Sequence, residues 1–96
     1  GAFGSCTSLT SVGIPGTVTG IGAAAFEGCD HLTNVVMNSG VTLIGNAAFA
    51  RCTNLAKATI PNTVTNIGDR AFESCRSLVG ITIPGSVIRI GLNAFW

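Results

Sequence analysis

Five phenylalanines, Phe3, Phe26, Phe49, Phe72 and Phe95, stand 23 residues apart with no insertion or deletion between them. The rest of the chain falls into columns at the same interval. Cysteine recurs at Cys6, Cys29, Cys52 and Cys75, and leucine at Leu9, Leu32, Leu55 and Leu78. Branched or small apolar residues recur at Val12, Val35, Ala58 and Ile81, at Ile14, Met37, Ile60 and Ile83, at Val18, Val41, Val64 and Val87, and at Ile21, Ile44, Ile67 and Ile90. Gly22, Gly45, Gly68 and Gly91 close the units, and Ala2, Ala25, Ala48, Ala71 and Ala94 precede the aromatic residue. A fixed period of this length marks stacked supersecondary units, each too small to bury its own apolar side. The chain therefore reads as one array, residues 1–96, of about four repeats: units 2–24, 25–47, 48–70 and 71–93, with a partial fifth at 94–96.

Inside a unit the apolar spacing follows neither a sustained 3.6-residue nor a sustained two-residue period, so a coil consists mostly of turns. The one alternation is V-x-I, as in Val12-Gly13-Ile14 and Ile81-Thr82-Ile83. It predicts a short strand, ended by Pro15, Pro61 and Pro84 or by Asn38, because proline brings no N–H to a ladder. Val18 and Ile21 predict a second extended segment on another side of the coil, ended at Gly22, where a positive φ is expected. The stretch AAAFEGC, residues 23–29, predicts a single helical or 3₁₀ turn, since Phe26 and Cys29 are three apart. Coils stacked about 4.8 Å apart turn every column into a ladder of equivalent side chains, and four coils span about 20 Å. Phe26, Phe49 and Phe72 then fill the widest part of the interior, alanine leaves them room, and Cys29, Cys52 and Cys75 act as small apolar fillers beside Leu32, Leu55 and Leu78.

Charged residues make up 9% of the chain against a usual quarter or so, and the net charge is +1 with no basic cluster. Nothing here forms an electrostatic footprint for phosphate backbones or anionic lipid, so nucleic acid is not an expected partner. No apolar run approaches the roughly 18 residues of a membrane span, which argues against membrane insertion of this segment. The chain begins at GAFGSC and ends at NAFW, both inside the repeating unit, and carries no polar outer layer over either end. It is read as a fragment of an array, without caps.

The constellations that suggest chemistry are explained by the repeat. Four equally spaced cysteines lie in one ladder with parallel Cα–Cβ vectors, whereas a disulfide needs converging side chains and zinc a tetrahedron of ligands. Buried free thiols are expected. GIGAAA, residues 20–25, matches a dinucleotide fingerprint, but its equivalents one unit on are Leu43, Gly45 and Ala48, and no full helix follows. His31, the single histidine, shares a column with Ser8, Asn54 and Ser77 at an exposed turn. Glu27 and Glu73 share a column two coils apart, too far for a catalytic pair. No catalytic, cofactor-binding or metal-binding residue is identified, and the expectation is a protein that is not an enzyme.

The unit A-F-x-x-C-x-x-L-x-x-V-x-I-P-x-x-V-x-x-I-G resembles the BspA-like, or treponemal-type, class of leucine-rich repeats. LTSVGIP, LTNVVMN, LAKATIP and LVGITIP match the strand signature of that class, and TVTNIG and SVIRIG match its second segment. Asn38 in place of proline, Ala58 in place of a branched residue and Gly40 in place of Thr or Ser are mild departures, and Trp96 falls where other units carry Gly, Glu or Ala. The resemblance implies a mainly β, right-handed solenoid with a parallel sheet on its concave face, a second short extended segment per coil and short turns. It also implies secretion or display at the cell surface, and adhesion to a protein or glycan on another cell or in a matrix.

The columns that change from unit to unit on the first strand are Ser11, Asn34, Lys57, Gly80 and Gly13, Val36, Thr59, Thr82. A surface free to acquire a partner varies in this way, so Ser11, Asn34, Val36, Lys57, Thr59 and Thr82 are the candidate contact residues. The second segment carries Thr19, Thr42, Thr65 and Ile88 beside Gly20, Leu43, Asn66 and Arg89, with Leu43, Ile88 and Leu92 as a smaller apolar patch. The alternative function is structural: open ends that stack head to tail build a filament.

Overall fold

Seven short strands carry the coil through the molecule. A computed structural model describes residues 9–79 and 81–95. The first sheet pairs β1 (Ser11–Ile14), β3 (Asn34–Met37) and β5 (Lys57–Thr59) in parallel, and the second pairs β2 (Gly20–Ile21), β4 (Leu43–Ile44), β6 (Asn66–Ile67) and β7 (Arg89–Ile90). Every pairing joins residues one repeat apart, Ser11 to Asn34 to Lys57 on the first sheet and Ile21 to Ile44 to Ile67 to Ile90 on the second. The result is a parallel β-solenoid of about three turns. Alternation decides which face is wet: in β3, Val35 and Met37 point into the interior at 0% and 2% exposure, and Val36 between them points out. The chain then turns at the proline, with the Val18, Val64 and Val87 N–H groups donating to the carbonyls of Pro15, Pro61 and Pro84 at 3.0, 3.2 and 3.2 Å.

The interior repeats at each level. Phe26, Phe49, Phe72 and Phe95 form a stack with ring centroids 5.2, 5.3 and 5.2 Å apart and rings within 9° of parallel. Offset stacking at this separation suits the ring quadrupoles. Beside it, Cys29 and Cys52 are buried, Cys75 is half-buried, and all three are free thiols; Cys6 and Phe3 lie outside the described residues. Leu32 and Leu55 are fully buried and Leu78 partly so.

The third side of the coil corrects two expectations. No helical or 3₁₀ segment occurs among the described residues; residues 22–29 form three overlapping tight turns instead, closed by Ala25 N–H to Gly22 O, Glu27 N–H to Ala24 O and Cys29 N–H to Phe26 O, each 3.2 Å. The reason lies in the intervening amides. Ala24, Phe26 and Gly28 donate to the carbonyls of Asn46, Ala48 and Ala50 in the next coil at 2.9, 2.7 and 2.9 Å. A helical turn would consume those donors within one coil and leave the stack untied on this side. The positive φ expected at Gly22 falls elsewhere, on the third residue of the first and last of these turns as in type II turns: Ala24, Ala47, Arg70 and Asn93 at 57–58°, and Gly28, Arg51 and Ser74 at 76°, 60° and 60°. The repeating glycine answers a different need. A Cβ on Gly45 would stand 2.6 Å from the Ile21 carbonyl oxygen, so only hydrogen fits between the coils.

The fourth coil departs from the other three. Its second strand, β7, is in place, but residues 81–83 form no strand, contrary to the V-x-I reading. This rung has a neighbour on one side only among the described residues. Ile83 and Ile90 are correspondingly open, at 37% and 50% exposure against at most 8% for Ile14, Met37, Ile60, Ile21, Ile44 and Ile67, and Phe95 of the partial fifth unit is 40% exposed against at most 3% for Phe26, Phe49 and Phe72.

Candidate binding surface

The first sheet brings five of the six candidate residues onto one face. Ser11, Asn34 and Lys57 are register partners along one line, and Gly13, Val36 and Thr59 along the next. Ser11, Lys57, Val36 and Thr59 are exposed, and Asn34 is half-buried. Thr82 is exposed as well but stands on the rung that leaves the sheet, across a gap of ≈ 170 Å³ walled by Lys57, Thr59, Asn62 and Pro84. Gly80 lies outside the described residues.

The face is chemically plain, with two exceptions. Asn34 holds its side-chain Oδ1 away from water without a hydrogen-bond partner, an arrangement that costs stability. Lys57 supplies the formal charge. The carboxylates sit on other parts of the coil: Glu27 pairs with Arg51 at 3.0 Å, Glu73 with Arg70 at 3.6 Å, and Asp30 with His31 at 3.2 Å. His31 is 63% exposed at a turn, and no group of three or more metal-ligating side chains occurs among the described residues.

The thiols line the interior behind this face. The Sγ atoms of Cys52 and Cys75 lie 3.2 and 3.1 Å from the carbonyl oxygens of Phe26 and Phe49, one rung back. Hydrogen bonding with the neighbouring Cys75 thiol, and burial, push the Cys52 thiol well above its ordinary range, so it stays protonated at physiological pH.

The rim between the second sheet and the turn side holds side chains that the variable-column reading did not single out. Asn46 Oδ1 accepts the N–H of Asp69 at 2.8 Å, and Asp69 Oδ1 accepts the N–H of Leu92, also at 2.8 Å. The column reads Ala23, Asn46, Asp69, Leu92, and the signal in the sequence is the pair of amide and carboxylate directly after the repeating glycine. Hydroxyls perform similar ties elsewhere, Thr42 to the Thr19 carbonyl at 3.0 Å and Thr65 to that of Thr42 at 3.3 Å.

A model of the BspA type leucine rich repeat region, six copies, matches residues 1–96. The chain belongs to that family. Among solved structures this BspA-type array is similar to the leucine-rich repeat protein of T. pallidum, with 35% identity, a TM-score of 0.83, and coverage of 86% of this chain and 41% of the treponemal one. It is also similar to a leucine-rich repeat protein from Bacteroides ovatus, with 29% identity, a TM-score of 0.77, and coverage of 95% and 29%. The array thus spans less than half the length of either solved protein. No curated protein matches it. BspA-type repeats typically serve as binding modules, on a solenoid that is typically non-catalytic.

Proposed function

We propose that the BspA-type array is an extracellular adhesion module, secreted or held at a cell surface, whose first sheet and its rim recognise a protein or glycan partner. One observation carries the reading: the inward columns of that sheet are held to apolar residues while Ser11, Asn34, Lys57 and Gly13, Val36, Thr59 vary on the outward side of the same strands. Each coil adds a strip to such a surface, so modest affinity per coil multiplies along an array. The test is binding of the wild-type chain and an Asn34→Ala/Lys57→Ala/Thr59→Ala variant to immobilised fibronectin, laminin and collagen. The variant is expected to fold as the wild type does and to bind at least about tenfold more weakly, the loss of one or two good contacts. Equal binding by the two to every matrix protein tested contradicts the proposal.

A second reading is head-to-tail self-association. The constant register favours it: every pairing joins residues one repeat apart, so a rung of one copy fits a rung of another as neighbours within the chain do. Sedimentation separates the readings: stacking predicts growth with concentration that Val87→Glu stops, and adhesion alone predicts none.

A further inference from the structure

We infer that the hollow around Asn46 and Asp69, on the rim between the second sheet and the turns, binds the vicinal hydroxyls of a saccharide. The hollow has two adjoining lobes of ≈ 380 and ≈ 220 Å³, and Asn46 and Asp69 wall both. The first lobe falls within the range of small-ligand sites.

Pinning sets the chemistry. The Oδ1 atoms of both side chains are held by backbone N–H groups of the following rung, each at 2.8 Å. An amide whose oxygen is fixed presents its Nδ2 as a donor, and a carboxylate with one fixed oxygen presents the other as an acceptor. One rung separates them, about 4.8 Å. A donor and an acceptor at that separation engage two adjacent hydroxyls, one accepting and one donating, and both are already ordered before the ligand arrives. The glycine column makes this possible, since a Cβ on Gly68 would stand 2.5 Å from Asn46 Oδ1.

The surroundings extend the match. Asn66 is half-buried in the second lobe, and Arg89, beside it, makes no ion pair among the described residues. Leu43 and Leu92, 44% and 72% exposed, flank the two lobes and offer apolar surface to the C–H face of a sugar ring. A purely structural role explains the pinned oxygens, because two asparagines or two aspartates tie the rungs equally well. It does not explain a donor set beside an acceptor between two exposed leucines. Ala23 and Leu92 bracket the pair in its column, so among the described residues the amide and carboxylate stand together once. It is separate from the first-sheet face, and neither proposal depends on the other.

The test is a ¹⁵N-edited NMR titration with the methyl glycosides of mannose, galactose, glucose and fucose at millimolar concentrations. The expected result is saturable shifts of the Asn46 and Asn66 side-chain amides and the Leu92 backbone amide with at least one glycoside, and none at Asn34. Asn46→Asp and Asp69→Asn keep the oxygen that accepts the backbone N–H, and change the free atom together with one unit of charge. Asp69→Asn is expected to retain the wild-type melting temperature and Asn46→Asp to lower it slightly through repulsion with Asp69; each is expected to weaken binding about tenfold, the loss of one well-placed hydrogen bond. The inference is overturned if no glycoside moves these resonances, if both variants respond as the wild type does, or if sodium acetate produces the same shifts, which would assign them to the Arg89 charge alone.

Discussion

At the scale of the residue, the solenoid rests on side chains that stack on their equivalents one rung away. Phe49 is fully buried, with an aromatic ring 5.2 Å away on one side and 5.3 Å on the other. Phe49→Ala opens a cavity that its neighbours cannot fill without leaving register, and is expected to cost about 3–5 kcal/mol in urea unfolding; a loss below about 1 kcal/mol would show that the ring is not in the interior. The cysteine column yields a kinetic prediction. Cys29 and Cys52 are both shielded from reagent by burial, and the Cys52 thiol is in addition held protonated. Peptide-mapped labelling with iodoacetamide under native conditions is expected to modify half-buried Cys75 well before Cys29 or Cys52. Simultaneous modification of the three would mean that the column opens as a unit.

At the scale of the element, the turns between the sheet sides decide how closely coils approach. Gly45 and Ala47 make opposite demands two residues apart. Gly45 has no room for a Cβ against the Ile21 carbonyl, whereas Ala47 holds a Cβ at φ 57°, where a side chain costs about 1–2 kcal/mol. Gly45→Ala is therefore expected to lower stability by about 1–3 kcal/mol, and Ala47→Gly to leave it unchanged or raise it by up to about 1 kcal/mol, both read as shifts of the thermal midpoint. Destabilisation by both would place the left-handed residue elsewhere. This element was also the one least legible in the sequence. The V-x-I strands and their 23-residue register could be read directly, because burial on one face forces alternation and alternation fixes register. A three-residue gap between Phe26 and Cys29 suits a helical turn and a tight turn equally, and only the next coil, by taking the Phe26 amide, selects between them. The outward columns of the first sheet were legible as a surface for the same reason as the strands. Asn46 and Asp69 were not, since a side chain that ties one rung to the next leaves no spacing signal beyond the repeat itself.

At the scale of the whole molecule, each rung touches only its neighbours, and function is a matter of which sides the stack presents. One side offers a variable sheet with a single lysine, and another a rim with a fixed donor and acceptor. Both depend on stacking in register. The most direct measurement is a set of proton nuclear Overhauser effects between aromatic rings in the chain with selectively labelled phenylalanine. Stacking in register predicts contacts from Phe26 to Phe49 and from Phe49 to Phe72, and none from Phe26 to Phe72, two rungs apart. Rings without contacts at the 23-residue interval, or with contacts that skip a rung, would contradict it.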